Sequence, residues 1–172
     1  MQYVAKFFKD EDGIGVEFPD VPGAFTCADS LEEAMEMAKE ALNGVLRSMF
    51  ERHDPLPVAK TKANAEKQLI PIEVEDGLAI AYSIFEARRG KSAASVARSM
   101  GVSRQSFKHY ENARLSMSIS NLIKVAKALD KRVEIQLVDK YDYTSFVRNL
   151  NANIKKNPTT PLRNRKEKRV KA

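Results

Sequence analysis

The spacing of apolar positions changes twice along this chain, and each change marks a new kind of element. Residues 3–9, Tyr-Val-Ala-Lys-Phe-Phe-Lys, are rich in aromatic and β-branched side chains and predict a strand. The strand ends at Asp10-Glu11-Asp12-Gly13, where the Asp-Gly pair predicts a hairpin turn, because Gly accepts positive φ and Asp tolerates it. Residues 14–18 return as a second strand with Ile14, Val16 and Phe18 on one face. Pro19 and Pro22-Gly23 then interrupt the chain before a third short strand over 24–27. From Ser30 the period becomes helical. Ser30-Leu31-Glu32-Glu33 reads as a capping box, in which the Ser30 hydroxyl and the Glu33 carboxylate satisfy amides of the first turn. Leu31, Ala34, Met35, Ala38, Leu42, Val45, Leu46 and Met49 follow at helical spacing and supply one apolar face. The helix is expected to fade near Arg52-His53-Asp54, because Pro55 and Pro57 disfavour helical geometry before them. Residues 55–67 read as a polar connection, and 68–74 as a strand that Pro71 assigns to a sheet edge.

Beyond Leu78 the pattern is of short helices. One spans 78–89 and stops at Gly90; a second runs from Ser92 or Ala93 to Met100 and stops at Gly101. A third spans 103–112 with Ser103 as its N-cap, and a fourth starts at Ser118 or Ser120 and ends at Leu129. In the fourth, Ile119, Leu122, Ile123, Ala126 and Leu129 are expected to face inward. Arg132 to Val138 alternates with period two and predicts a final strand. Residues 143–154 read as a short helix, and the Pro-, Thr- and Arg/Lys-rich end beyond Asn157 lacks the apolar surface to order itself. The predicted fold is therefore an α+β N-terminal domain of three short strands, a helix and a fourth strand (1–76). An all-α helix-turn-helix domain with a terminal strand follows (77–138), and then a basic, largely disordered tail (139–172).

Charge divides the chain more sharply than its net value of +6 suggests. Residues 1–54 carry 5 Lys/Arg against 12 Asp/Glu, residues 55–138 carry 14 against 8, and residues 139–172 carry 10 against 3. An acidic surface repels phosphate backbones and a basic one attracts them, so the front should meet a basic partner and the back a polyanion. No apolar run approaches the roughly 18–20 residues of a membrane-spanning helix. The chain opens on a strand-like Met1-Gln2-Tyr3-Val4 with no apolar leader, and Cys27 is the sole cysteine, which together predict a soluble cytoplasmic protein without disulfides.

Residues 95–107, Ser-Val-Ala-Arg-Ser-Met-Gly-Val-Ser-Arg-Gln-Ser-Phe, carry the most specific signal. Two helices crossing steeply over a tight turn need a small residue inside the first, Ala97, and a residue free to take positive φ at the turn, Gly101. Val96, Met100, Val102 and Phe107 supply the apolar contact between them. With Tyr110-Glu111-Asn112 beyond, the segment 78–130 resembles the Cro/Xre class of helix-turn-helix domains. That resemblance implies that the second helix enters the major groove of operator DNA with Arg104, Gln105 and Ser106 facing base edges. It places Lys108 and His109 within reach of bases or backbone and Asn112 beside phosphate. Arg pairs with guanine and Gln with adenine through two hydrogen bonds each. The chain departs from the class at Ala93, where a backbone-anchoring Gln is common, with Ser92 or Ser95 as the available substitutes.

The front resembles another family. Residues 12–23, with Phe18-Pro19-Asp20-Val21-Pro22-Gly23 as their most specific part, then Thr26 and the run Asp29 to Ala34, are similar to HicB antitoxins over about residues 1–50. The two resemblances together match HicB proteins that carry an Xre-like DNA-binding domain. The family implies that the front domain masks a small basic messenger-RNA-cleaving toxin, HicA, and that the rear domain represses the shared operon as a homodimer or higher homo-oligomer. The family usually has Cys or another small residue after Pro-Gly, and Ala24 here is a mild departure. Glu17, Asp20, Asp29, Glu32, Glu33 and Glu36 are the candidates for the toxin-binding surface, since carboxylates there would lie where the toxin binds RNA. Pairing of the strand over Val133 to Val138 across a two-fold axis would place two recognition helices in successive major grooves, which calls for a palindromic operator.

Two other classes compete with this reading. Asp10, Asp12, Glu17 and Asp20 invite comparison with a metal-binding carboxylate set, but Asp10 and Asp12 flank a hairpin turn. His53 and His109 are the only histidines, Cys27 has no His at a fixed spacing, and no phosphate-binding loop appears, so neither an enzyme, a cofactor nor a metal is expected. The other alternative is a stand-alone, phage-like transcriptional repressor whose front domain dimerises or binds a ligand.

Overall fold

The computed structural model describes residues 1–10, 13–115, 117–137 and 152. Four strands form one antiparallel sheet, β1 (Gln2–Asp10), β2 (Gly13–Glu17), β3 (Phe25–Ala28) and β4 (Leu69–Glu73), in the order β3-β2-β1-β4. β1 and β2 form the expected hairpin with Asp10 paired to Gly13, and residues 11 and 12 lie outside the described residues. β4 takes the predicted edge position, with Pro71 opposite Val4. Proline has no amide hydrogen to donate, so an edge is where a strand tolerates it.

Helix α1 (Leu31–Glu51) packs across the sheet and buries Leu31, Ala34, Met35, Ala38, Leu42, Leu46 and Phe50. These meet Tyr3, Ala5, Phe7, Val16, Ile70 and Ile72 in one front core. Its N-cap is Ser30, whose Oγ accepts from the Glu33 amide at 3.2 Å. Among the described residues the Glu33 carboxylate does not return the second bond of the predicted box and remains exposed. The polar connection after α1 is strapped to the front core. Leu56 is buried, the Tyr3 hydroxyl donates to the Pro57 carbonyl at 2.6 Å, and Asp20 holds the Lys60 and Thr61 amides.

Four helices follow: α2 (Asp76–Ala87), α3 (Ala93–Ser99), α4 (Arg104–Tyr110) and α5 (Ile119–Ala128). α3, α4 and α5 are capped by Ser92, Ser103 and Ser118, each accepting a bond from the amide three residues on. A second core forms from Ile84, Val96, Ala97, Phe107, Val125 and Leu129. α2 serves both cores, with Leu78 and Ala81 in the front one and Ile84 in the rear one. Ala113 also buries in the front core, and Gly77 of α2 packs against it: a Cβ there would stand 2.8 Å from the Ala113 carbonyl oxygen. Any side chain at residue 77 would force this junction apart.

Two expectations need correction. The run expected as a terminal strand over 132–138 is not a strand: residues 131–137 carry no sheet pairing, and Val138 lies outside the described residues. A strand exists only where an edge receives its hydrogen bonds, and this run does not join the four-stranded sheet. The inward face of α5 is set by Val125 and Leu129, leaving Ile119 and Ile123 exposed. The short helix read over 143–154 and the basic tail fall outside the described residues, except Ala152, which is helical.

Candidate functional site

The rear core works as a frame for α4. Phe107 is fully buried, so α4 must show its opposite side to solvent, and Arg104, Gln105, Ser106, Lys108 and His109 are all exposed there. The turn before it forms as the residue types require: Gly101 has φ +67°, and the Val102 amide donates to the Ala97 carbonyl at 3.0 Å. Ala97 is buried against α4, and Met100 and Val102 pack on the same core. The end of α4 is fixed by an ion pair that the pattern of the sequence did not single out. Arg88, just past α2, reaches Glu111, the C-cap of α4, with Nε–Oε1 at 2.5 Å and Nη2–Oε2 at 3.2 Å. The two side chains are only 18% and 14% exposed, and the guanidinium also lies over the Phe85 ring at 5.7 Å. The helix is thus held at its base by Phe107 and at its end by Arg88.

The predicted DNA-binding residues divide by what else they do. Arg104, Gln105, Lys108 and His109 project from the exposed face of α4. Ser106 takes part in the cap, its Oγ lying 2.8 Å from that of Ser103. The Oδ1 of Asn112 accepts from the Arg114 amide at 2.9 Å, so its carboxamide NH2 is the part left to meet a phosphate. Arg114 is a further exposed cation in the loop beyond α4. No periodicity marks a lone arginine in a loop, so only the structure places it beside the helix.

The six acidic residues proposed for the front surface come from β2, from α1 and from the segments on either side of β3. Glu17 lies at the end of β2, opposite Phe25 on one side and Lys6 on the other, an opposite-charge neighbour across the strands. Asp20 follows in the next turn. Asp29, Glu32, Glu33 and Glu36 begin beyond the other end of β3, about 10 Å away at roughly 3.4 Å per residue. They are exposed, and Glu32 and Glu36 share one face of α1. Asp20 has a structural task. Its Oδ2 accepts from the Thr61 amide at 2.7 Å and the Lys60 amide at 2.8 Å. Partial burial pushes its carboxyl up, but these two amides, with the Thr61 hydroxyl and the Lys60 ammonium, hold it below the ordinary carboxylate value. A lowered value means that the strap is stabilised above the usual carboxylate range and released as acid protonates the group. Asp20→Asn is therefore expected to weaken the strap by about 1 kcal/mol, discounted for its partial exposure. Amide exchange at Lys60 and Thr61 should quicken in the variant at neutral pH, and the difference from wild type should vanish in strong acid. Equal protection at neutral pH would show that the strap does not depend on the carboxylate.

Among the described residues, no three His, Cys, Asp or Glu side chains are arranged to hold a metal ion, and no helix is long and apolar enough to cross a membrane.

Comparison with known proteins bears on both parts. Residues 3–84 match the HicB-like antitoxin of bacterial toxin-antitoxin systems, and residues 84–136 match a helix-turn-helix family. The chain is 31% identical over 135 residues to antitoxin HicB 2 of Photorhabdus laumondii, spanning 78% of this chain and 95% of that one. This chain belongs to the HicB antitoxin family. Antitoxin HicB of Escherichia coli K12 is 26% identical over 129 residues, which cover 74% of this chain and 92% of the relative. A 14.9 kDa protein from the rep-hol intergenic region of Haemophilus phage HP1 is 41% identical over 70 residues, half of its length. A chain from a solved HicA3 and HicB3 toxin-antitoxin complex aligns over 44% of this chain at 23% identity, with a TM-score of 0.35. The HicB assignment identifies the α+β front as an antitoxin module, and the helix-turn-helix makes the rear a DNA-binding one. It also turns the choice away from a stand-alone repressor.

Proposed function

We propose that the front of this HicB protein, residues 1–76, captures and masks a small basic, messenger-RNA-cleaving toxin of the HicA type, and that residues 77–138 repress the shared operon by reading operator DNA with α4. The single observation that carries this reading is the opposition of the two exposed surfaces. Asp29, Glu32, Glu33 and Glu36 stand in water on the front, with Glu17 and Asp20 half-exposed, while Arg104, Gln105, Lys108 and His109 stand in water on α4. Carboxylates so placed occupy the cationic surface that a toxin needs for RNA, and α4 offers two side chains able to pair with guanine and adenine.

The repressor acts as a homodimer in this proposal. Ile119 and Ile123 on α5, and Ile135 and Leu137 beyond it, are exposed (Leu137 at 95%). A second copy would cover them, pairing the two 132–137 runs across a two-fold axis and giving each an edge that one chain does not provide.

Tagged protein drawn from its native cells tests the whole reading at once. It is expected to bring down a small basic protein that degrades RNA once freed, and light scattering of the purified antitoxin should give twice the chain mass. Recovery of operator DNA with no protein partner would leave a repressor without a toxin. A monomeric mass would remove the two-fold model.

A further inference from the structure

Glu51 closes α1 and belongs to the antitoxin module, whereas Arg114 follows the recognition helix 63 residues later. Their side chains meet, Arg114 Nη2 to Glu51 Oε1 at 3.3 Å. The contact stands on a fixed base. The Arg114 amide donates to Asn112 Oδ1, Ala113 is buried in the front core, and Gly77 abuts the Ala113 carbonyl. The guanidinium itself is in water, with the arginine side chain 70% and the glutamate 56% exposed. A cleft of about 630 Å³ runs beside the pair, lined by Glu51 and His53 from the front module and by Arg104, Lys108 and Arg114 from the rear one. The cleft's other carboxylate, Glu111, is already held by Arg88. A polyanion laid along α4 therefore meets three cations, one of which carries a competing carboxylate from the other module.

We propose that Arg114 contacts the DNA backbone and that Glu51 competes with phosphate for it, so that the antitoxin module lowers the DNA affinity of the helix-turn-helix. The proposal rests on the reading of the rear module as a DNA binder. Two features make the exchange feasible. An exposed ion pair is weak and easily replaced, and a phosphate can accept from the fork of a guanidinium through two oxygens. Arg114 would add affinity and no sequence preference, because phosphate contacts carry no base information. The loop's fixed backbone means that only the side chain has to turn.

Fluorescence anisotropy with the full chain tests this, using a labelled duplex from the gene's own upstream region and a random-sequence duplex of equal length. Arg114→Ala should weaken both by similar factors and reduce the slope of log affinity against log salt by about 0.9. Glu51→Gln should tighten binding about two- to fivefold at low salt, and this gain should vanish when Arg114 is already alanine. Unchanged binding in Arg114→Ala, or in Glu51→Gln, would overturn the proposal. So would a Glu51→Gln gain that persists without Arg114, since it would report only the removal of a negative charge near DNA. If wild type binds neither duplex, the DNA-binding reading itself fails and takes this inference with it; binding by wild type with indifferent variants defeats the inference alone.

Discussion

Phe107→Ala is expected to destabilise the helix-turn-helix by about 3–5 kcal/mol, the usual cost of emptying a fully buried aromatic site. The ring is completely enclosed, packs edge-on to Tyr110 at 6.2 Å and fills the core shared by α3, α4 and α5. α3 and α4 have seven residues each, too few to be stable alone, so their order depends on that core. Hydrogen exchange should show protection lost across α3 to α5 while β1 and β4, which pack in the front core, keep theirs. DNA binding should disappear with it. Toxin capture should remain, because the carboxylates proposed for it lie on the front. Uniform loss of protection in both cores would instead mean that α2, which joins them, makes the chain one cooperative unit.

The second large effect concerns recognition and leaves the fold intact. Arg104→Ala is expected to cost about 1–3 kcal/mol of operator binding, and Arg104→Ala with Gln105→Ala about twice that, since each loses a two-bond contact to a base. Both side chains are exposed, so neither substitution opens a cavity. The loss should be confined to the operator and be small on random duplex, in contrast to Arg114→Ala, which should weaken both. Binding at matched salt to the two duplexes, with circular dichroism as the check on fold, makes the comparison. A loss of toxin capture in the same folded variant would show that the two activities are not divided between the two surfaces.

Much of this molecule was legible in the residue order, for local reasons. The hairpin of β1 and β2, the serine N-caps at 30 and 103, and the helical spacing of Leu31 to Met49 each act within a few residues, whereas the caps at 92 and 118 were each one of two possible starts. The order of residues 95–107 likewise dictates a small residue, a left-handed glycine and an apolar plug, and the structure has all three where the pattern puts them. Pro71 announced an edge strand because a missing amide is a property of the residue itself. The alternation over 132–137 misled, since period two describes a segment able to pair and does not supply the partner edge. The apolar residues of α5 were legible only in part: Leu122 and Leu129 pack inward as their spacing predicts, but Val125 completes the buried face and Ile119 and Ile123 are left exposed.

Residue order thus settled the types of the elements up to α5, the serine caps at 30 and 103 and the exposed chemistry of α4, because those follow from backbone preferences and the spacing of side chains along one helix or strand. Tertiary structure alone decided that Arg88 locks Glu111, that Asp20 holds the strap at residues 60 and 61, and that Glu51 reaches Arg114. Each joins groups from 23 to 63 residues apart, and no local rule sets such distances. They follow from how α1 lies on the sheet and how α2 carries the rear helices against it, which is a property of packing.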